Sequence, residues 1–199
     1  RHGIIKGSSI GPWNARVAEL GERLNQGRQK GFLRFREEFE AMRARAGADW
    51  LKSVSLSFNA GWDPERSLDA VLSGNLEAEA RAGFSLYGPN RADIRIRVGK
   101  QPASEVLSRG QQRSLVVLMK LAQMRVLQSV GCQGICLLDD IHAELDADNQ
   151  ALLANELLAL NTQVFLTGIK APDEGALGSL MREHEPSMFH VEQGRFTEQ

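Results

Sequence analysis

Nowhere in these 199 residues do eighteen apolar residues stand together, so no transmembrane helix is expected. No secretory leader is visible. Cysteine is scarce. Cys132 and Cys136 are the chain's two thiols. They are too few for a four-thiolate zinc site, and their apolar surroundings read as reduced core residues of a cytoplasmic protein. Internal repeats and low-complexity tracts are absent. A phosphate-cradling loop, G-x-x-x-x-G-K-[ST], is absent too. The nearest stretch, "VGKQ" around Gly99 and Lys100, puts Ile94 where the first glycine is required and Gln101 where a hydroxyl is required. An excess of either charge is also missing, with a net of −1. That does not exclude a nucleic-acid partner, because local distribution outweighs the total. The first fifty residues hold ten Lys/Arg against six Asp/Glu, an excess of 10 − 6 = +4. Such a run is ordinarily a solvated helix face.

What is present is enough apolar sequence, 42% of residues, for one globular domain with an appendage. From Pro12 to about Trp50, Leu20, Leu24, Leu33, Phe35, Phe39 and Met42 recur at helical spacing. Gly27, Gly31 and Gly47 are candidate interruptions, so two helices or one broken helix are expected there, forming an arm over 1–50. The remainder, 51–199, reads as a separate lobe. In it "SVSLSF" alternates like a half-buried strand. "SLDAVLSGNLEAEARAG" reads as a helix, and "FSLYGPNRADIRIRVGKQPA" as two strands around a Gly-Pro turn. Gln111 to Val130 is predicted as a long helix with Leu115, Leu118, Met119, Ala122, Val126 and Leu127 inward. "ICLL" and "QVFL" are short apolar runs of the kind found in internal parallel strands, with the helical "ADNQALLANELLAL" between them. "MFHVEQGRFTE" closes the chain as a hairpin. Helix and strand alternate through the second half, which predicts an α/β architecture with a parallel sheet.

Two stretches carry chemistry. In "LLDDIHAELD" an apolar strand ends on Asp139 and Asp140. Ligands of open α/β sheets bind at the carboxyl ends of strands. Adjacent carboxylates repel unless a cation or shared proton relieves them. One can hold Mg²⁺ through water and the other can act on a water as base. By itself the pair is more readily a helix or turn cap. In "LSRGQQ", Ser108 can cap a helix and Gly110 removes a side chain where something approaches the backbone. The free N–H groups of a helix start form an anion site. Gly110 precedes Asp139 by 139 − 110 = 29 residues, room for one long helix, a loop and one strand.

Together these stretches resemble the ABC-type ATPases, with "LSRGQQ" as signature motif, "ICLLDD" as Walker B strand and "AELD" as D-loop. Within that superfamily the ordered set "YGPNRAD", "LSRGQQ", "LLDDIHAELD", "TQVFLTG" and "MFHVEQGRFTE" resembles the carboxyl-terminal half of the RecF family of bacterial recombination mediators, from Tyr87 onward. The segment before it matches more loosely. The resemblance implies the carboxyl-terminal lobe of an ATPase head with part of a helical arm. It implies that Ser108 and Gly110, flanked by Arg109 and Gln111, contact the γ-phosphate of a nucleotide held by an opposite subunit. Asp139 would hold Mg²⁺ through water, Asp140 would polarise the attacking water, and Asp146 would lie across a dimer interface. DNA binding, ATP-dependent homodimerisation, a RecR partner (with the RecO pathway) and a cytoplasmic, nucleoid-associated location follow as expectations of the same kind.

Two departures refine it. Asp140 stands where a glutamate often stands, and its shorter reach fits a slow, switch-like ATPase. After "VFLT" comes Gly168, so Thr167 rather than a histidine occupies the switch position, as is usual in the RecF-like group. Because the phosphate loop of that family lies upstream, the chain is expected to be a portion of the parent that hydrolyses essentially nothing alone. His142 is a weaker catalytic candidate, and His184 and His190 lack metal-ligand spacing. Arg91 with Asp93 reads either as a structural ion pair or as a contact to phosphate or partner. Arg95 and Arg97, with Arg91 nearby, form a candidate DNA-backbone patch. The alternatives are a longer-armed head of the SMC kind, disfavoured by the lack of sustained heptads, and a nucleotide-independent interaction module.

Overall fold

The computed structural model describes residues 11–140, 147–160, 162–169, 175–184 and 186–198. It forms two compact units. One takes the chain up to Glu40 and Ala48–Val106; the other takes Ala41–Gly47 and the chain from Leu107 onward. A short helix, α2 (Asp49–Lys52), lies in the first unit.

In the first unit α1 runs unbroken over Gly11–Ala46, its last turn belonging to the second unit. The expected break at Gly27 or Gly31 does not occur. Each glycine costs a helix interior about 1 kcal/mol, but burial of Ala18, Phe32 and Phe39 on one face holds the helix across them. The stop comes at Gly47, whose φ of +65° is left-handed. β1 (Val54–Asn59) pairs antiparallel with β2 (Asp93–Val98), Val54 opposite Val98 and Asn59 opposite Asp93, and β3 (Gln101–Pro102) follows in the order β1-β2-β3. The core gathers Ala18, Ala60, Trp62, Leu68, Val71 and Leu72, with Phe58 against it. One predicted helix is two, α3 (Leu68–Gly74) and α4 (Leu76–Ala82). Asn75 divides them, its amide Nδ2 donating to the Val71 carbonyl. The first of the two strands expected around Gly88-Pro89 is not a strand. Instead Gly88 N–H donates to Gly61 O, and a 3-10 turn spans Pro89–Arg91. A Cβ on Gly61, at φ +92°, would sit 2.2 Å from the Gly88 carbonyl oxygen. Gly61→Ala is therefore expected to destabilise this unit by about 2–3 kcal/mol, read by urea unfolding; a loss near zero would contradict the closeness of this contact.

After α5 (Ala103–Val106), the second unit holds α6 (Arg109–Ser129), β4 (Ile135–Leu138), α7 (Ala147–Leu158), β5 (Gln163–Leu166), α8 (Gly175–His184) and the hairpin β6–β7 (Phe189–Glu192, Arg195–Glu198). β4 and β5 are parallel, Cys136 opposite Val164 and Leu138 opposite Leu166. The hairpin turns at Gln193-Gly194, both at positive φ. On α6 the buried apolar residues are Leu115, Leu118, Leu121 and Ala122. Met119 and Val126, expected inward, are half-buried, and Leu127 is exposed. β4 is less enclosed than its apolar run predicts. Cys136 is buried, and burial pushes its thiol pKa up, but Leu137 is 73% exposed. Ile135, on the same face, is 61% exposed, and among the described residues β4 has β5 as its one paired neighbour, so its other edge is unpaired there.

Candidate nucleotide-facing site

Ser108 is the N-cap of α6. Its Oγ accepts from Gln111 N–H at 3.2 Å, while the Gln111 side chain accepts from Ser108 N–H at 2.9 Å. This reciprocal capping box satisfies two donors and fixes the entry of the helix. Gln112 Nε2 ties back to the Leu107 carbonyl at 2.8 Å, and Ser114 Oγ donates to the Gly110 carbonyl at 2.9 Å. The first-turn amides of Arg109 and Gly110 have no acceptor within an α-helix, so they face outward beside exposed Ser108 and Arg109. The Ser108 hydroxyl uses a lone pair in the cap, which leaves its O–H free to donate. Gly110 is required by neither backbone nor packing: its φ is not left-handed, and a Cβ there would meet nothing within 4 Å. A residue that weakens the helix start and frees no room inside the protein keeps the outside of that turn bare.

At the other end of the α6–β4 unit the chain turns sharply. Asp140 has φ +51°, an uncommon conformation that is stored at functional turns. Its N–H is shared between the Thr167 carbonyl at 3.2 Å and Thr167 Oγ1 at 3.3 Å. Thr167 N–H donates to the Leu138 carbonyl at 2.9 Å, and Thr167 Oγ1 donates to the Asp139 carboxylate. Three sequence-predicted positions, 27 or 28 residues apart, thus meet because parallel pairing of β4 with β5 brings their carboxyl ends side by side. Asp139 is exposed and Asp140 half-buried. Asp140 Oδ1 is buried and lacks a hydrogen-bond partner among the described residues, where an acceptor ordinarily has one. Among those residues no three His, Cys, Asp or Glu side chains gather as a metal cage. A pair of adjacent carboxylates is a donor set that Mg²⁺ accepts, since it keeps its waters and takes one or two carboxylates plus phosphate oxygens.

Asp146 and His142 lie outside the described residues. Arg91 is engaged locally: its Nε donates to the Ser85 carbonyl at 2.9 Å, and its guanidinium lies over the Phe84 ring. Asp93 Oδ1 accepts from Ile94 N–H. Arg95 and Arg97 project from the exposed face of β2, Arg97 also reaching the Lys100 carbonyl. Ile94 and Ile96, on the opposite face, are half-buried.

One charged cluster escaped the reading of the sequence. The Glu156 side chain on α7 is 3% exposed, and its carboxylate takes both Nε and an Nη of Arg45 at 3.0 Å and an Nη of Arg125 at 2.7 Å. The signal was there in "ALLANELL": Glu156 follows Leu152 and Leu153 by four and three residues, so it falls on the apolar face of the helix.

No family model matches the chain. The DNA replication and repair protein RecF of Marinobacter nauticus is 43% identical over 199 residues, all of this chain and 53% of the relative. That of Chromohalobacter salexigens is 37% identical over 196 residues, and that of Stutzerimonas stutzeri 36% over 200. A solved structure of the recombination mediator RecF with ATP, in the RecFOR pathway, superposes with a TM-score of 0.73 at 18% identity, covering all of this chain and 52% of the other. This likeness shows a shared fold, in this chain helices beside the parallel strands β4 and β5. The chain spans about half the length of the curated relatives it matches, and over that length it belongs to the RecF family.

Proposed function

We propose that this chain supplies the signature side of an ATP-bound joint between two copies of a RecF-type DNA repair protein, and that closing the joint gates DNA binding. The observation that carries the reading is Gly110, a glycine in the first turn of α6 that neither φ nor internal packing demands. Beside it stand the Arg109 and Gly110 amides, without an acceptor among the described residues, and a serine hydroxyl, the donor set a phosphate group takes. Ser108, Arg109, Gly110 and Gln111 would face the γ-phosphate carried by the other copy.

The residues present also fit Mg²⁺ and ATP. The Asp139 carboxylate, oriented by Thr167, would hold Mg²⁺ through water, and Asp140 Oδ1, buried and unpartnered among the described residues, would accept a hydrogen bond from the attacking water. ATP supplies the transferable phosphoryl group. Asp146 would act from across the joint and Thr167 as the switch residue. Arg95 and Arg97, with Arg91 nearby, would meet the DNA backbone. A RecF protein is described in the RecFOR pathway; RecR as direct partner, residues 1–50 as part of the arm, 51–199 as the head lobe, and a cytoplasmic, nucleoid-associated location belong to the same reading.

The test uses the complete protein. Ser108→Arg fills the bare turn with a long cation. It should abolish ATP-driven dimerisation, read by light scattering, and leave nucleotide binding to the monomer nearly unchanged. Gly110→Ala should strengthen α6 by up to about 1 kcal/mol yet weaken the dimer. Normal dimerisation by both variants would remove the phosphate role from this turn.

A further inference from the structure

Between Glu22 and Glu37, α1 carries five cations and no acid: Arg23, Arg28, Lys30, Arg34 and Arg36. Outside this span the same helix mixes both signs. Two of the five are used inside the first unit. Arg28 donates to the Pro89 carbonyl at 2.7 Å, and the Arg36 guanidinium lies over the Phe32 ring. Arg23, Lys30 and Arg34 are exposed. At 100° per residue they fall within about 40° of one another around the helix.

The glycines give the second observation. Gly27 and Gly31 are four residues apart and border that row of cations. Both are exposed helix-interior positions with ordinary φ, and a Cβ on either would meet nothing within 4 Å. Each weakens a helix it does not shape. A plain solvated face gains nothing from them. A face against which a charged backbone lies gains contact depth, since glycine exposes the helix backbone and lets flanking cations reach past it.

We propose that Arg23, Lys30 and Arg34, with Gly27 and Gly31 between them, form a sequence-independent contact for the phosphate backbone of DNA, separate from the strand arginines Arg95 and Arg97. This rests on the DNA-binding part of the function proposed above. The cation row runs over twelve residues, eleven helical steps or about 16 Å at the rise of a helix. Over that length a duplex carries roughly ten phosphate charges. No base-reading group accompanies the row, so the contact reads charge and not sequence. Another helix is the other occupant a glycine pair admits, but it would have to present acids to all three cations.

The experiment measures binding of a fluorescent 30-base-pair duplex to the complete protein with ATP and Mg²⁺, by anisotropy across a salt series. Arg23→Gln, Lys30→Gln and Arg34→Gln together should flatten the slope of log K against log salt by about 2–3, near 0.9 per phosphate contact, leaving ATP-driven dimerisation intact. Gly27→Gln with Gly31→Gln should raise the Tm, because glutamine is the better helix former, and still weaken DNA binding. An unchanged slope in the triple variant overturns the proposal while wild-type binding stands. A fall in Tm for the glycine pair also overturns it, because it shows a helix packed on that face. If the wild-type protein binds no duplex at all, the failure belongs to the DNA-binding reading itself.

Discussion

Asp140→Asn in the complete protein is expected to cut ATP hydrolysis by about 10²–10⁴-fold, the range for loss of a general base, and to lengthen the life of the ATP-bound dimer. The reasoning starts from the turn. Asp140 sits at φ +51°, a conformation asparagine adopts as readily as aspartate, so the backbone is expected to survive the change. The hydrogen bonds that hold the turn come from Asp140 N–H to Thr167, and the substitution leaves them untouched. What changes is one buried atom, Oδ1, that has no partner among the described residues. A carboxylate oxygen there accepts a proton from water; an amide does not. Single-turnover hydrolysis and dimer dissociation, measured on the same preparation, separate the two effects. Turnover within a few-fold of wild type would move the base elsewhere and leave Asp140 as a turn residue.

The elements of this fold were legible in the sequence where a local rule and the packing agree. "LSRGQQ" announced a capped helix, and the capping box of Ser108 and Gln111 is in place. "ICLL" and "QVFL" announced parallel strands, and they pair in register. The resemblance named Thr167 as the switch position, but its contact with Asp139 and Asp140 was not legible, because 28 residues of chain do not reveal which strand ends meet. Misreadings arose where tertiary contacts override local preference. Gly27 and Gly31 looked like helix breaks, but a helix buried along one face tolerates about 1 kcal/mol per glycine. "FSLYGPN" looked like a strand because its apolar residues alternate; the Gly61–Gly88 contact takes that backbone into a loop instead. Leu127 fits a helical stripe yet is exposed, since spacing along a helix does not say which part of a stripe another element covers.

Glu156 shows the same limit from the polar side, and it carries the largest expected loss of stability. Glu156→Ala should cost about 3–5 kcal/mol, the range for removing one partner of a buried ion pair. For a chain of this length that is a fall in Tm of roughly 6–20 °C at 2–4 °C per kcal/mol. Two guanidiniums converge on one carboxylate, so deleting the anion leaves two like charges facing each other. They differ in exposure. The Arg45 side chain is 49% exposed and can turn to water, whereas Arg125 is 20% exposed and its Nε already lacks a partner among the described residues. The order of cost should therefore be Glu156→Ala, then Arg125→Ala, then Arg45→Ala, the last within about 1 kcal/mol as for a surface pair. A double-mutant cycle gives the sharper test. Arg125→Met removes the buried cation, so adding it to Glu156→Leu should recover part of the loss, because an apolar pair of similar volume is often as stable as the ion pair it replaces. The effects would then be non-additive by 1 kcal/mol or more. Additive costs, or a Glu156→Ala variant that melts with wild type, would mean that the carboxylate is solvated in the folded protein and that α1, α6 and α7 are not held together through it.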